Sequence, residues 1–203
     1  MVAMQIFTSE KPLTWGKLEL PMMGLTRDWF GERVDPPSTF TLANDAESLW
    51  FISVFPHATE IHPDSSPGQF TPELWKYDVA ELFIANPETG EYLEFNLTAN
   101  GAWWACRFSS VRHPSAEQPG FSDMIRSHHD PAGDRHFVAG LRIPLIFLKK
   151  EIDFSASTTA NITIIRDSPS QRFLSACKLP GPQPDFHQPQ YFTHLSPSPI
   201  YPD

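Results

Sequence analysis

The stretch from Val79 to Thr98 sets the tightest limit on the fold. Val79 to Ala85 is apolar except at Glu81, and its length and bounding residues predict a strand covered on both faces. Asn86-Pro87-Glu88-Thr89-Gly90 supplies turn chemistry, since Asn and Pro open a turn and Gly takes positive φ before the chain reverses. Tyr92 to Thr98 then alternates, with Leu93, Phe95 and Leu97 on one face and Tyr92, Glu94, Asn96 and Thr98 on the other. The pair reads as an antiparallel hairpin with one apolar and one partly polar face.

Glu81 shares its face with Val79 and Phe83. An unpaired carboxylate between apolar neighbours costs several kcal/mol, so Glu81 must find hydrogen-bond partners or give up its charge. Trp75 lies just upstream, at the mouth of the same strand. A flat ring beside such an acid suits a ligand with an apolar face and hydroxyl edges. The structural alternative is that Trp75 caps the core and Glu81 pairs with an arginine.

The composition points the same way. Sixteen Phe, six Trp and four Tyr favour strands, and 21 Pro break up any long helical pattern. At 203 residues one domain is expected. Its expected parts are an irregular N-terminal segment with an edge strand (1–36), a β-sandwich core (38–178) and a Pro- and aromatic-rich segment (180–203) packed on it. A net charge of -9 argues against a nucleic-acid partner, which Lys and Arg would have to neutralise. The start of the chain lacks a signal-peptide pattern and no run reaches membrane-spanning length, so a cytoplasmic protein without a membrane partner is expected. Cys106 and Cys177 are read as free buried thiols.

Along the chain, Leu18 to Met23 suggests an edge strand, and Asp28 to Pro37 a loop. Ser38–Ala43 and Ser48–Phe55 form a hairpin across Asn44-Asp45-Ala46-Glu47. Gly101–Phe108, Phe121–His129, Arg135–Ile143, Thr159–Arg166 and Arg172–Lys178 complete the strands. A turn at Asp130–Asp134 and a helical turn at Leu145–Lys149 join them. Trp103 and Trp104 must face opposite sides, one into the core. About eight or nine short strands without βαβ alternation predict an all-β fold: a two-sheet antiparallel sandwich of jelly-roll or immunoglobulin-like type with minimal helix.

Two clusters invite a metal reading, His57 and His62 near Asp64, and His128-His129-Asp130. The first lacks a third ligand at recognisable spacing, and adjacent histidines on a strand diverge, so neither is assigned. A structural calcium is not indicated by spacing either. Asn96-Leu97-Thr98 and Asn161-Ile162-Thr163 match the glycosylation acceptor pattern within predicted strands and read as chance.

With this order of elements, the chain resembles the family 9 carbohydrate-binding modules and the wider DOMON-related sandwich group. The resemblance rests on Leu74 to Ile84 (Trp75, Asp78 and Val79-x-Glu81-x-Phe83), on Gly90 to Trp104 with Tyr92 and Glu94-Phe95, on Ile143-Pro144, and on the closing segment Pro184 to Phe192. It implies a β-sandwich holding a glycan end between two aromatic platforms, with acidic, amide and basic side chains on the hydroxyls. By that likeness Trp75 is the first platform, Glu81 the adjacent acid, Asn96 the amide, and Phe186, with His187 beside it, takes the place of the second platform. The basic residue expected near Asn96 is here Glu94.

The expected function is therefore a non-catalytic carbohydrate-binding domain whose partner is a saccharide or glycoconjugate. No cofactor is expected. The alternative from the same group is haem, with axial ligands from His128, His129, His187 or a methionine but no Cys-x-x-Cys-His motif. A sandwich that only binds another protein is the third reading. Nucleophile-elbow, P-loop and dinucleotide fingerprints are absent, and a hairpin does not by itself set Glu81 and Glu94 across a scissile bond, so no enzyme is expected.

Overall fold

The computed structural model describes residues 4–56, 58–131 and 136–200. His57 and most of the Asp130–Asp134 turn lie outside the described residues. The strands are β1 (Met4–Thr8), β2 (Met23–Arg27), β3 (Arg33–Asn44), β4 (Ser48–Pro56), β5 (Val79–Ala85), β6 (Tyr92–Leu97), β7 (Trp103–Ser110), β8 (His113–Pro114), β9 (Arg126–Pro131), β10 (His136–Pro144), β11 (Thr159–Arg166), β12 (Arg172–Ser175) and β13 (Thr193–Pro199). Two short helices, α1 (Phe121–Met124) and α2 (Leu145–Ile152), interrupt them. The all-β expectation with minimal helix holds. No helix among the described residues is long and apolar enough to cross a membrane.

Hydrogen bonding runs in the order β8-β7-β6-β5-β11-β13-β1-β3-β4-β10-β9, with β12 beside β11 and β2 beside β3. The predicted hairpin is present as β5 and β6, in a register that puts Glu81 opposite Asn96 and Phe83 opposite Glu94. The two halves face each other across one core. Leu82, Ile84, Leu93 and Phe95 meet Leu42, Phe51, Leu141 and Ile143 there, all fully buried.

The halves are not two separate antiparallel sheets. β13 runs antiparallel to β11 at Thr159 and Ala160, then parallel to β1, which is itself parallel to β3, so the halves join in one curled mixed sheet. This also corrects the reading of both termini, since β1 is an interior strand and the C-terminal segment closes as β13. Pro197 and Pro199 made that stretch look irregular. The Ile200 N–H donates to the Thr8 carbonyl at 2.9 Å, so even-numbered residues point their N–H groups at β1. The prolines point away, to an edge that β11 has already left, where a missing donor is tolerated.

Smaller differences have local causes. The first edge strand forms at Met23–Arg27 rather than Leu18–Met23, paired with a β3 that starts at Arg33. Phe121–His129 splits into α1 and β9, because Phe121 and Ile125 turn into the core. Cys106 and Cys177 are free and buried, as read. Asn96, Thr98, Asn161 and Thr163 are wholly buried within the fold.

Candidate ligand-binding site

Strand alternation gives β5, β6, β7 and β11 a second, outer face. Thr163, Glu81, Asn96 and Trp104 lie across it in one row. Asn161, Phe83, Glu94 and Cys106 form the next. The segment before β13 folds over part of this face, burying Phe186 and Phe192 against Val79, Phe83 and Phe108. It stops short of the rest and leaves a cleft of about 420 Å³. Four of the five residues singled out from sequence line that cleft: Trp75, Glu81, Phe186 and His187. Asn96 lies on the same face, wholly buried between Glu81 and Trp104.

Trp75 is presented by a short 3₁₀ turn, Leu74–Lys76, anchored by fully buried Leu74. Its ring is 38% exposed and meets the Trp104 indole edge to face at 5.2 Å. Trp103 points the other way into the core, as alternation required. Phe186, by contrast, is 7% exposed and packs against Trp29 and Phe173 at 6.3 and 6.1 Å. It forms a wall of the cleft, and the indole beside Trp75 is Trp104.

The floor is acidic. Glu81 is 3% exposed, and its carboxylate accepts a bond from the Thr163 hydroxyl at 2.6 Å. No arginine pairs with it among the described residues, so the structural alternative raised from sequence is not what the fold uses. Burial pushes its carboxyl up to about 7, against the pull of the Thr163 bond. Glu94 is 4% exposed, and burial together with the charge of Glu81 raises its carboxyl well above the usual range.

Above Glu94 sits His187, its Nε2 3.7 Å from the carboxylate. Burial, helped by Arg112, lowers the imidazole to about 4, so it is neutral near pH 7 and forms no ion pair with Glu94. The Arg112 backbone N–H donates to the Tyr92 hydroxyl at 3.0 Å, and that hydroxyl lies 2.7 Å from His187 Nδ1. Burial holds the Tyr92 phenol protonated, at about 12. Tyr92 therefore donates to Nδ1, and this sets the tautomer with its proton on Nε2, toward Glu94.

The cleft's one guanidinium comes from Arg112, in the two-residue turn between β7 and β8, where it takes φ 59°. It pairs with Asp185 at 2.7 Å, and the same Asp185 oxygen accepts the His187 backbone N–H at 3.0 Å. Although burial opposes it, the Arg112 bond keeps the Asp185 carboxyl below its ordinary value. Asn96 completes the floor from behind. Neither atom of its carboxamide makes a hydrogen bond of acceptable geometry, though it lies close enough to ease the Glu94 carboxylate.

Sequence reading missed Trp104, Arg112, Tyr92 and Asp185 as cleft or network residues. Trp104 was recoverable from the β6–β7 register; Arg112 carries no sequence signal, since a turn beyond the strand end brings it back. The other histidine candidate, His128, stacks between Trp15 and Trp50 at 5.2 and 5.5 Å on the opposite half, so it and His187 do not face a common slot. Among the described residues no group of three or more His, Cys, Asp or Glu is placed to hold a metal ion.

No family model matches the chain. It is 27% identical over 141 residues to UPF0462 protein C4orf33 homolog of Rattus norvegicus, covering 66% of each protein. The chain thus spans just under two thirds of that curated relative's length. Among solved structures it is similar to a proposed carbohydrate-binding protein from Bacteroides uniformis ATCC 8492, with TM-score 0.71 and 15% identity over 96% of this chain and 99% of that one. It is also similar to a family 9 carbohydrate-binding module from Caldicellulosiruptor kristjanssonii in complex with cellotriose, with TM-score 0.59 and 10% identity over 97% and 94%. The glucose complex gives TM-score 0.59 and 12% identity over 98% and 97%. The chain has the fold of the family 9 carbohydrate-binding modules.

Proposed function

We propose that the chain is a non-catalytic carbohydrate-binding domain that takes a sugar, or the end of a glycan, into the cleft between Trp75, Trp104 and the Pro184–His187 segment. One observation carries this reading: an indole pair, Trp75 exposed and Trp104 half-buried, stands at the mouth of a cleft that has apolar walls and buried polar side chains on its floor. A sugar ring offers the matching surfaces, C–H faces for the indoles and hydroxyl edges for the carboxyl groups and Arg112. The fold supports it, because modules of the same fold have been crystallised with cellotriose and glucose.

Magnitudes show why both halves of the site are needed. A ring covering roughly 50–60 Å² of sugar contributes about 1.4 kcal/mol, and two contribute nearly 3 kcal/mol, at ~25 cal/mol per Å². Millimolar affinity needs about 4 kcal/mol. Two or three hydrogen bonds worth about 1 kcal/mol each close the difference and carry binding into the micromolar range.

Glycan-array screening followed by calorimetry, on wild type beside Trp75→Ala, tests the proposal. The expected result is millimolar to micromolar binding that falls about tenfold or more in the variant. A folded wild-type protein with no hit across the array would remove the proposal.

A further inference from the structure

We infer that the cleft selects a sugar bearing a free amino group, a hexosamine or a chain of hexosamines, over the neutral or N-acetylated counterpart. This rests on the carbohydrate-binding reading above and adds the charge of the ligand.

The inference starts from a charge count. The ionisable side chains lining the cleft include three carboxyl groups, Glu81, Glu94 and Asp185, and one guanidinium, Arg112. Arg112 is already committed to Asp185 at 2.7 Å. That leaves Glu81 and Glu94 with no lysine or arginine in contact among the described residues, Arg112 easing Glu94 only from a distance. Glu81 has only the Thr163 hydroxyl, and Glu94 faces an imidazole that burial keeps neutral. Two buried carboxyl groups on adjacent strands, diagonal to each other on one face, repel when both are ionised. An ammonium group entering between them supplies the charge that the fold withholds.

Two further observations point to a ligand of that kind. The Asn96 carboxamide is wholly buried on the same face, and beyond a poorly aligned approach to Glu94 neither its nitrogen nor its oxygen makes a hydrogen bond of acceptable geometry. Such a group is costly unless something completes its bonding. The rings around the acids, Trp75, Trp104, Phe83 and Phe108, are also suited to a cation, because aromatic faces attract ammonium groups and do so more strongly when water is excluded. A neutral sugar would use the rings and leave Glu81 and Glu94 to relieve their repulsion by holding protons instead of facing a cation. An N-acetylated sugar would bring an amide and a methyl group to a site that calls for a positive charge.

Calorimetry on the full chain at pH 7, with β-1,4-linked tetramers of glucosamine, N-acetylglucosamine and glucose, tests this. The glucosamine tetramer should bind at least about tenfold more tightly than either of the others, the scale of one charge-assisted hydrogen bond. That advantage should shrink to near onefold in Glu94→Gln and Glu81→Gln, which keep the shape of the floor and remove its charge. Equal affinity for the glucose and glucosamine tetramers would overturn the inference and leave the carbohydrate reading standing. Binding of none of the three by folded wild type would remove both. Choline binding without any of the sugars would overturn the amino-sugar assignment, because the site would then recognise an ammonium group alone.

Discussion

The two halves of the sandwich each have an outer face, and the two faces have been finished differently. On the half containing β3, β4 and β10, Trp50, Ile52 and Ala43 form a small apolar cluster that the stretch from Leu13 to Leu20 covers. Trp15 sits so close to Gly140 that a Cβ there would lie 2.6 Å from the indole. On the half containing β5, β6 and β7 the equivalent positions carry Glu81, Glu94 and Asn96, and the covering segment leaves them at the bottom of a cleft. Both faces keep a cleft, about 420 Å³ over Glu81 and Glu94 and about 390 Å³ beside Trp15 and Ile52, but only the first has buried carboxyl groups on its floor, the second being lined mainly by apolar side chains. The difference lies in the polar residues that β5 and β6 bury on their outer face, Glu81, Glu94 and Asn96.

The largest effect expected from this contrast is in the two indoles. Trp50→Ala, on the apolar face, should lower stability by about 3–5 kcal/mol, since a large buried ring is replaced by a cavity. Trp75→Ala, on the open face, should change it by about 1 kcal/mol or less. Urea unfolding of both variants checks the pair; equal losses would mean the two faces are packed alike.

Next comes Glu81→Gln. In the folded protein the Glu81 carboxyl sits at about 7, against an ordinary value of 4.5, so between these pH values the folded state holds a proton that the unfolded state has released. Wild-type stability is therefore lowered as pH rises from about 4.5 to about 7, and the loss is complete above that. The glutamine variant escapes it. It should match wild type near pH 4 and exceed it by about 1–3 kcal/mol at pH 8, read from unfolding midpoints at the two pH values. A constant difference across that range would show that the carboxyl is not held in an unpaired state.

His187 titrates in the opposite sense. Its folded value of about 4 lies below the ordinary 6.5, so stability is present above pH 6.5 and lost as pH falls toward 4. His187→Gln should flatten the acid side of the profile by about 1–2 kcal/mol. The smallest effect is Gly140→Ala on the apolar face, about 1 kcal/mol of destabilisation, because the Trp15 ring must shift to admit the methyl group. Unfolding in urea reads it, and a neutral result would mean that the cover over Trp50 is loose.

Much of the fold was legible in the chain. The β5–β6 hairpin, the split of Trp103 from Trp104, β11 and the strand ending at Pro144 all follow from alternation and turn residues, which act over a few positions. Even the acid in the apolar strand announced itself, because a charge at such a position is locally expensive. Residues brought together by long-range pairing were not legible. β1 is five residues long and is held by partners at the far end of the chain, and nothing near Met4–Thr8 marks it as an interior strand. Arg112 reaches the cleft only because a two-residue turn reverses β7, and Phe186 looked like a platform until the packing of Trp29 and Phe173 buried it.

What the sequence determined by itself was local: which stretches extend, which side chains share a face, and that Glu81 had to be answered by its surroundings. Tertiary structure alone decided the answer, because the missing arginine, the neutral His187 and the open mouth at Trp75 depend on which distant segments pack above β5 and β6. Alternation is a property of the backbone at any one residue, whereas burial and charge balance belong to everything that closes over it.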